Sequence, residues 1–257
     1  MQLIKVGGSK LGDHDFLGGL AASVIAMDGP VIIVHGGGEA VTAMQRKLGH
    51  EPSKVDGLRV TDADTLDISQ MVLSGYANKN IVAALVTAGI DALGISGVDG
   101  GLLRCVKKHH PAQDLGFVGQ IVKVRSRLVK ALLDQGLTPV ISPISLGPEG
   151  QVYNVNGDEA AAAIATALQV KMLNFISDVP AVLDQEKKPI PVLTAESTEQ
   201  LIHQGVIHGG MVPKVRAALH VVSQGVPQAR IVNLSGLANG TGTTISLGAL
   251  LPSEGHN

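Results

Sequence analysis

Tryptophan is absent from the 257-residue sequence, which has only two tyrosines and three phenylalanines. Single-stranded nucleic acid binds on exposed aromatic platforms, and a net charge of −2 gives no broad basic field for a phosphate backbone. Nucleic acid is therefore not an expected partner. One cysteine, Cys105, excludes an intrachain disulfide and a cysteine metal cluster. No apolar run is long enough to cross a bilayer, since Leu17–Val34 is broken by Asp28, Gly29 and Pro30. The start, Met1-Gln2-Leu3-Ile4-Lys5-Val6, lacks the regions of a secretory signal. No membrane partner is expected, and the expected location is the cytoplasm.

Several catalytic signatures are missing too. The sequence has no G-x-x-x-x-G-K-[ST] loop, no G-x-G-x-x-G fingerprint, no G-x-S-x-G elbow and no H-E-x-x-H pair. Its nine histidines are scattered without metal-ligand spacing, so no protein metal centre is expected.

Glycine is what the chain has in excess: 32 residues, against roughly 18 at the average usage of about 7%. The excess is positional. Val31-Ile32-Ile33-Val34 reads as a strand buried on both faces, and His35-Gly36-Gly37-Gly38 strips its end of side chains before a helical pattern from Glu39 to Leu48. Such a turn can aim backbone N–H groups into one space, and the helix adds its unpaired N–H groups and the positive end of its dipole. Strand, bare turn and helix start suggest an anion site, although a βα turn without a ligand would look the same.

Leu3–Val6 likewise runs into Gly7-Gly8-Ser9-Lys10. Helical spacing covers His14–Ala26, Ala63–Leu73, Asn78–Ala88, Leu128–Gln135, Ala160–Leu168 and Glu196–His203, and another helix opens at Gly209-Gly210-Met211-Val212-Pro213-Lys214. Asn156 is an expected N-cap, with Glu159 completing a capping box. Strands are expected at Ala92–Ser96, Thr138–Ser142, Lys171–Ile176, Arg230–Asn233 and Thr243–Ser246, with an antiparallel excursion over Leu102–Val106 and Phe117–Val124. Asp56–Asp62 reads as a polar loop. The alternation predicts an α/β sandwich with a mainly parallel sheet, with a change of lobe near Lys171.

Lys5 precedes one glycine turn, Lys214 follows another, and Asp158 stands at a helix start. Phosphoryl transfer needs cations and backbone donors around a moving phosphate. Two lysines with an aspartate to hold them are suitable parts. Lys5 could equally guard a strand edge, and Asp158 could only complement a helix dipole.

Lys5-Val6-Gly7-Gly8, Val34-His35-Gly36-Gly37-Gly38, Gly57-Leu58-Arg59-Val60-Thr61, Tyr153-Asn154-Val155-Asn156-Gly157-Asp158, Ser177-Asp178-Val179 and Gly209-Gly210-Met211-Val212-Pro213-Lys214 together resemble the amino-acid kinase family, in order over nearly the whole chain. The resemblance extends to Met71–Gly75 with Asn78-Lys79, and to Asp114–Gly119. It implies a three-layer α/β/α sandwich in which residues 1–170 bind the amino acid and dimerise, and residues 171–257 bind MgATP. The implied reaction moves the ATP γ-phosphoryl group to the side-chain carboxylate of N-acetyl-L-glutamate, in arginine synthesis. Lys5 and Lys214 would neutralise the transferring phosphate and Asp158 would orient them. Gly7, Gly8, Gly36 and Gly37 would donate N–H groups to phosphate and substrate. Arg59 would pair with the substrate α-carboxylate and Asn154 with its acetamido end. Asp178, Gly209 and Lys214 would lie beside the nucleotide, with Mg²⁺ bridging its phosphates.

The sequence departs from the family pattern at Gly157, at Ala181 and at His208, where alanine, glycine and a small hydroxyl residue are usual. It also starts directly on its first strand, without the helical extension that joins dimers into arginine-inhibited hexamers in this family, which implies an arginine-insensitive homodimer. Two alternatives remain. One is a kinase for aminoadipate or glutamate on an acidic carrier protein, met by a basic rim of Arg104, Lys107, Lys108, Lys123, Arg125 and Arg127. The other is a non-catalytic amino-acid-binding regulator on the same fold.

Overall fold

The computed structural model describes residues 1–8 and 11–247. Ser9 and Lys10 of the first glycine turn, and the last ten residues of the expected C-terminal lobe, lie outside this range.

Eight strands form the central sheet: β1 (Gln2–Val6), β2 (Val31–His35), β3 (Ala92–Ser96), β4 (Thr138–Ser142), β5 (Met172–Ile176), β6 (Val192–Leu193), β7 (Gln228–Val232) and β8 (Thr243–Ile245). They are ordered β6-β8-β7-β5-β1-β2-β4-β3. Only β8 and its parallel neighbour β6 run against the other six. β1 is central, with Lys5 in register with Val34 of β2 on one side and Phe175 of β5 on the other.

The layers follow from the two-residue period of strands. Leu3, Ile32 and Val34 face one core, filled by Ala160, Ala161, Ile164 and Leu168 of the helix Gly157–Leu168 and by Val215, Ala218 and Val222 of the helix Met211–Ser223. Ile4, Val6, Val31 and Ile33 face the other, filled by Leu17, Leu20 and Val24 of the helix His14–Ile25 and by Ile81 and Leu85 of the helix Asn78–Thr87. Helices therefore cover both faces, and the expected α/β/α sandwich with a mainly parallel sheet is the observed fold. The sheet and the first core run without a break across Lys171.

Three local expectations need correction. The helical patterns before and after Ser74 are one continuous helix, joined by a π-helical stretch, Met71–Ala77. Its wider turn accompanies a Ser74–Ser142 hydroxyl bond of 2.8 Å and turns Asn78 toward the sheet. The supposed polar loop begins as a tight hairpin, Lys54–Val55 against Leu58–Arg59, because Asp56 and Gly57 both take positive φ, 49° and 80°. Asn156 does cap its helix, accepting from Asp158 and Glu159 N–H groups at 2.7 and 3.3 Å. Glu159 does not close the capping box, because its carboxylate pairs with Lys108. That pairing joins the helix to the antiparallel strands Leu103–Lys107 and Gly119–Val124.

Candidate active site

The glycine turns lie at the C-terminal ends of β1 and β2, where open α/β sheets place their ligands. They border a cleft of about 190 Å³. Gly8 and Gly37 touch backbone to backbone: a Cβ on Gly8 would lie 2.5 Å from the Gly37 Cα. The Gly36 N–H is taken by the Val6 carbonyl at 2.9 Å, so Gly36 contributes its bareness and not a donor. Gly37 caps the helix Gly38–Lys47, whose first-turn N–H groups have no partner within the helix, and Gly37 and Gly38 both border the cleft.

Beneath the turn is a buried polar chain that sequence reasoning missed. His35 is completely buried on the face opposite the cleft. Its Nδ1 lies 2.8 Å from the Gly36 carbonyl and its Nε2 lies 3.1 Å from Asn78 Nδ2. The carbonyl can only accept and the amide nitrogen only donate, so the imidazole is neutral and protonated at Nδ1. Burial pushes its pKa down to about 4, with Lys5 and Lys79 pushing the same way. In a trans peptide C=O and N–H point in opposite directions. Holding the Gly36 carbonyl from below therefore aims the Gly37 N–H above. Asn78 also donates to the Val140 carbonyl at 3.0 Å, and Lys79 Nζ donates to Asn78 Oδ1 at 3.1 Å. The available signal was a histidine closing an otherwise apolar strand directly before three glycines.

Lys5 emerges on the cleft side of β1, where its Nζ meets Asp158 Oδ1 at 2.8 Å. Lys214, half-buried in the first turns of its helix, lies in the field of both. Burial lowers its pKa below the ordinary lysine range, Lys5 adds to that, and Asp158 and Asp178 oppose it. Two ammonium groups therefore stand in one electrostatic neighbourhood, Lys5 held by Asp158 and Lys214 within reach of its field. Paired lysines of this kind are suited to a phosphate.

Arg59 borders the same cleft. Its Nη2 donates to the Gly38 carbonyl at 2.6 Å and to Thr42 Oγ1 at 2.8 Å, and its Nη1 donates to Gln45, which is itself held by Thr65. Nε–H and one Nη1–H remain for an anion. Asn154 Nδ2 donates to Thr61 Oγ1 at 3.3 Å, and that hydroxyl donates to the Arg59 carbonyl. The Asn154 Oδ1 is thereby left as an acceptor.

Lys5, Gly8, Gly36, Gly37, Arg59, Asn154 and Asp158 thus border one cleft. Gly7, Asp178, Gly209 and Lys214 do not line it. Lys214 and Asp178 are tied to it through charge, whereas Gly209 is an exposed left-handed residue ahead of the Lys214 helix. Of the basic rim, Lys107 pairs with Asp114 at 2.8 Å and Lys108 with Glu159, which neutralises two of its six charges. Gly157 is not a steric necessity, because a Cβ there would meet Gly36 Cα at an ordinary 3.4 Å. Ala181 is buried and His208 is exposed.

Residues 1–233 match the sequence profile of the amino acid kinase family. The chain is 51% identical over 243 residues to an acetylglutamate kinase of Roseiflexus sp. (strain RS-1), covering 95% of this chain and 92% of the relative. It is 44% identical over 252 residues to an acetylglutamate kinase of Methanopyrus kandleri, covering 95% and 100%. Among solved structures, smu.665 from Streptococcus mutans UA159 superposes with a TM-score of 0.81 at 27% identity, covering 96% of this chain and 98% of that one. An N-acetylglutamate synthase from Neisseria gonorrhoeae, solved with coenzyme A and N-acetyl-glutamate, shares the fold at a TM-score of 0.83 and 22% identity, over 97% of this chain and 60% of that one.

Proposed function

The chain belongs to the amino acid kinase family, and we infer that it catalyses the acetylglutamate kinase reaction: ATP and N-acetyl-L-glutamate give ADP and N-acetyl-glutamyl phosphate, a step of arginine biosynthesis. One observation carries the assignment of roles. Lys5 held by Asp158, with Lys214 in their field, and a buried arginine fixed in advance serve one small cleft, which matches a dicarboxylate whose two ends have different fates.

In this reading Arg59 anchors the α-carboxylate, with its guanidinium already fixed by Gly38, Thr42 and Gln45. The side-chain carboxylate then faces the glycine turns and attacks the γ-phosphorus in line. The P–O bond to ADP breaks as the acyl–phosphate bond forms, and no proton needs to move. Catalysis is accordingly positioning and charge neutralisation. Lys5 takes charge on the transferring phosphoryl oxygens, Lys214 takes charge toward the leaving β-phosphate, and Asp158 keeps both ammonium groups in register. The Gly37 N–H, aimed by His35, adds a fixed dipole.

Among the described residues no three His, Cys, Asp or Glu side chains converge on one point. The donor set therefore fits a Mg²⁺ ion carried by the phosphates of ATP better than one caged by protein. When bound it supplies further neutralisation of those phosphates. We assign the amino acid to residues 1–170, which hold Arg59 and Asn154, and the nucleotide to residues 171–257, which hold Asp178 and Lys214. A homodimer is supported by β3, which ends the sheet and exposes Leu93.

The test is acyl phosphate formation trapped with hydroxylamine on N-acetyl-L-glutamate, free L-glutamate and N-acetyl-aminoadipate. Turnover confined mainly to the first is expected, with a loss of about 10²–10³-fold in kcat for Lys5→Ala or Lys214→Ala, the scale for removing one preorganised electrostatic group. Equal turnover of free glutamate, or undiminished activity in either variant, would refute the assignment.

A further inference from the structure

Ser69 lies in the helix Ala63–Gln70, is 1% exposed, and borders the cleft. A serine inside a helix ordinarily returns its hydroxyl to the carbonyl four residues back. Ser69 makes no such bond, and its Oγ has no hydrogen-bond partner among the described residues. A buried unpaired hydroxyl is costly, and no partner among the described residues offsets that cost. The surrounding face explains where a partner would come from. Thr65, one turn earlier, holds the Gln45 that fixes Arg59. Leu73, one turn later, borders the cleft against Gly37. Ser69 therefore stands between the carboxylate anchor and the phosphoryl end.

We propose that Ser69 Oγ donates a hydrogen bond to the acyl carbonyl of the bound substrate and so helps the enzyme select an N-acylated amino acid over a free one. The proposal rests on the N-acetyl-L-glutamate reading above and deepens it. An acyl amide offers one donor and one acceptor. The free Asn154 Oδ1 takes the N–H, the Ser69 hydroxyl takes the C=O, and Arg59 takes the carboxylate. A free α-ammonium group offers the serine no acceptor and leaves its hydroxyl unpaired.

The experiment compares wild type, Ser69→Ala and Ser69→Thr by steady-state kinetics and thermal unfolding. Ser69→Ala should raise KM for N-acetyl-L-glutamate about tenfold, the lower-middle part of the range for an unpaired buried polar partner. Its kcat and its KM for ATP should stay within twofold, and its Tm should not fall, because the free protein loses only an unpaired hydroxyl. The ester analogue 2-acetoxyglutarate, which keeps the carbonyl and lacks the N–H, should suffer the same increase. Ser69→Thr, which retains the hydroxyl, should recover most of the KM. A KM for Ser69→Ala within twofold of wild type overturns the proposal, as does a lowered Tm with both KM values unchanged. Wild type that fails to phosphorylate N-acetyl-L-glutamate overturns the substrate reading and this proposal together, whereas an active wild type indifferent to Ser69 overturns this proposal alone.

Discussion

His35 should make the protein acid-sensitive as pH falls below the ordinary histidine range. The perturbation is a change of pH from 7 to 4. Burial holds the folded-state pKa at about 4, against 6.5 for an ordinary histidine. Between those values the unfolded chain binds a proton at this residue and the folded chain does not, so stability falls as pH falls. The contribution is intact above 6.5, declines through the interval and is fully lost below about 4. One unit of pKa separation is about 1.4 kcal/mol, so the loss is on the order of 3 kcal/mol, a large share of the roughly 5–15 kcal/mol that holds a domain together. The assay is urea unfolding at half-unit pH steps for wild type and His35→Asn, which retains a donor for the Gly36 carbonyl but has no imidazole to protonate. His35→Gln serves as the second variant if His35→Asn does not fold. Both variants should start less stable at pH 7 and lose less on acidification, converging on wild type near pH 4. Parallel curves from pH 6.5 to 4 would refute the claim that His35 is held neutral.

Two further outcomes follow from the site. If Lys214 acts as the proposed ammonium group, its pKa, lowered from the ordinary 10.5 by burial and Lys5, should make kcat/KM for ATP fall on the alkaline side below that value, and Lys214→Arg should move the limb upward even where it lowers the plateau. A limb unmoved by the arginine would assign the titration to another group. Gly8→Ala forces a Cβ to within 2.5 Å of the Gly37 backbone, whereas a Cβ on Gly7 meets nothing within 4 Å; urea unfolding should show a loss of about 1–3 kcal/mol for the first and a change within about 0.5 kcal/mol for the second. Equal effects would mean that the turns do not touch as described.

The parts of the fold that were legible in the sequence are those with local causes. Four aliphatic residues before His35 and the period of Val215, Ala218 and Val222 carry the burial that forms the strand and the helix. Asn156 caps its own helix through contacts two and three residues away. The pieces that were missed depend on distant partners. Glu159 follows the capping-box spacing, yet Lys108, 51 positions away, captures its carboxylate. Nothing local marks the Val192–Leu193 strand, which forms because β8 offers it an edge. At the cleft, Lys5 and the glycines of the two turns were readable because each stands directly at a strand end in the sequence. His35, Asn78 and Ser69 were not, because their meaning lies in contacts across the sheet or in a contact the fold leaves unmade.

The central position of β1 also constrains how the chain can be made. One edge of this strand is satisfied by residues 31–35, the other only by residues 172–176. A nascent chain with its first 170 residues exposed therefore carries an open, apolar strand edge beside Lys5 for as long as synthesis takes to deliver β5. That long-range pairing raises contact order and slows folding, and the exposed edge invites pairing with another chain. Lys5 is set in place only once residues 172–176 have been translated, so a release before that point yields a fragment with an open, adhesive strand edge.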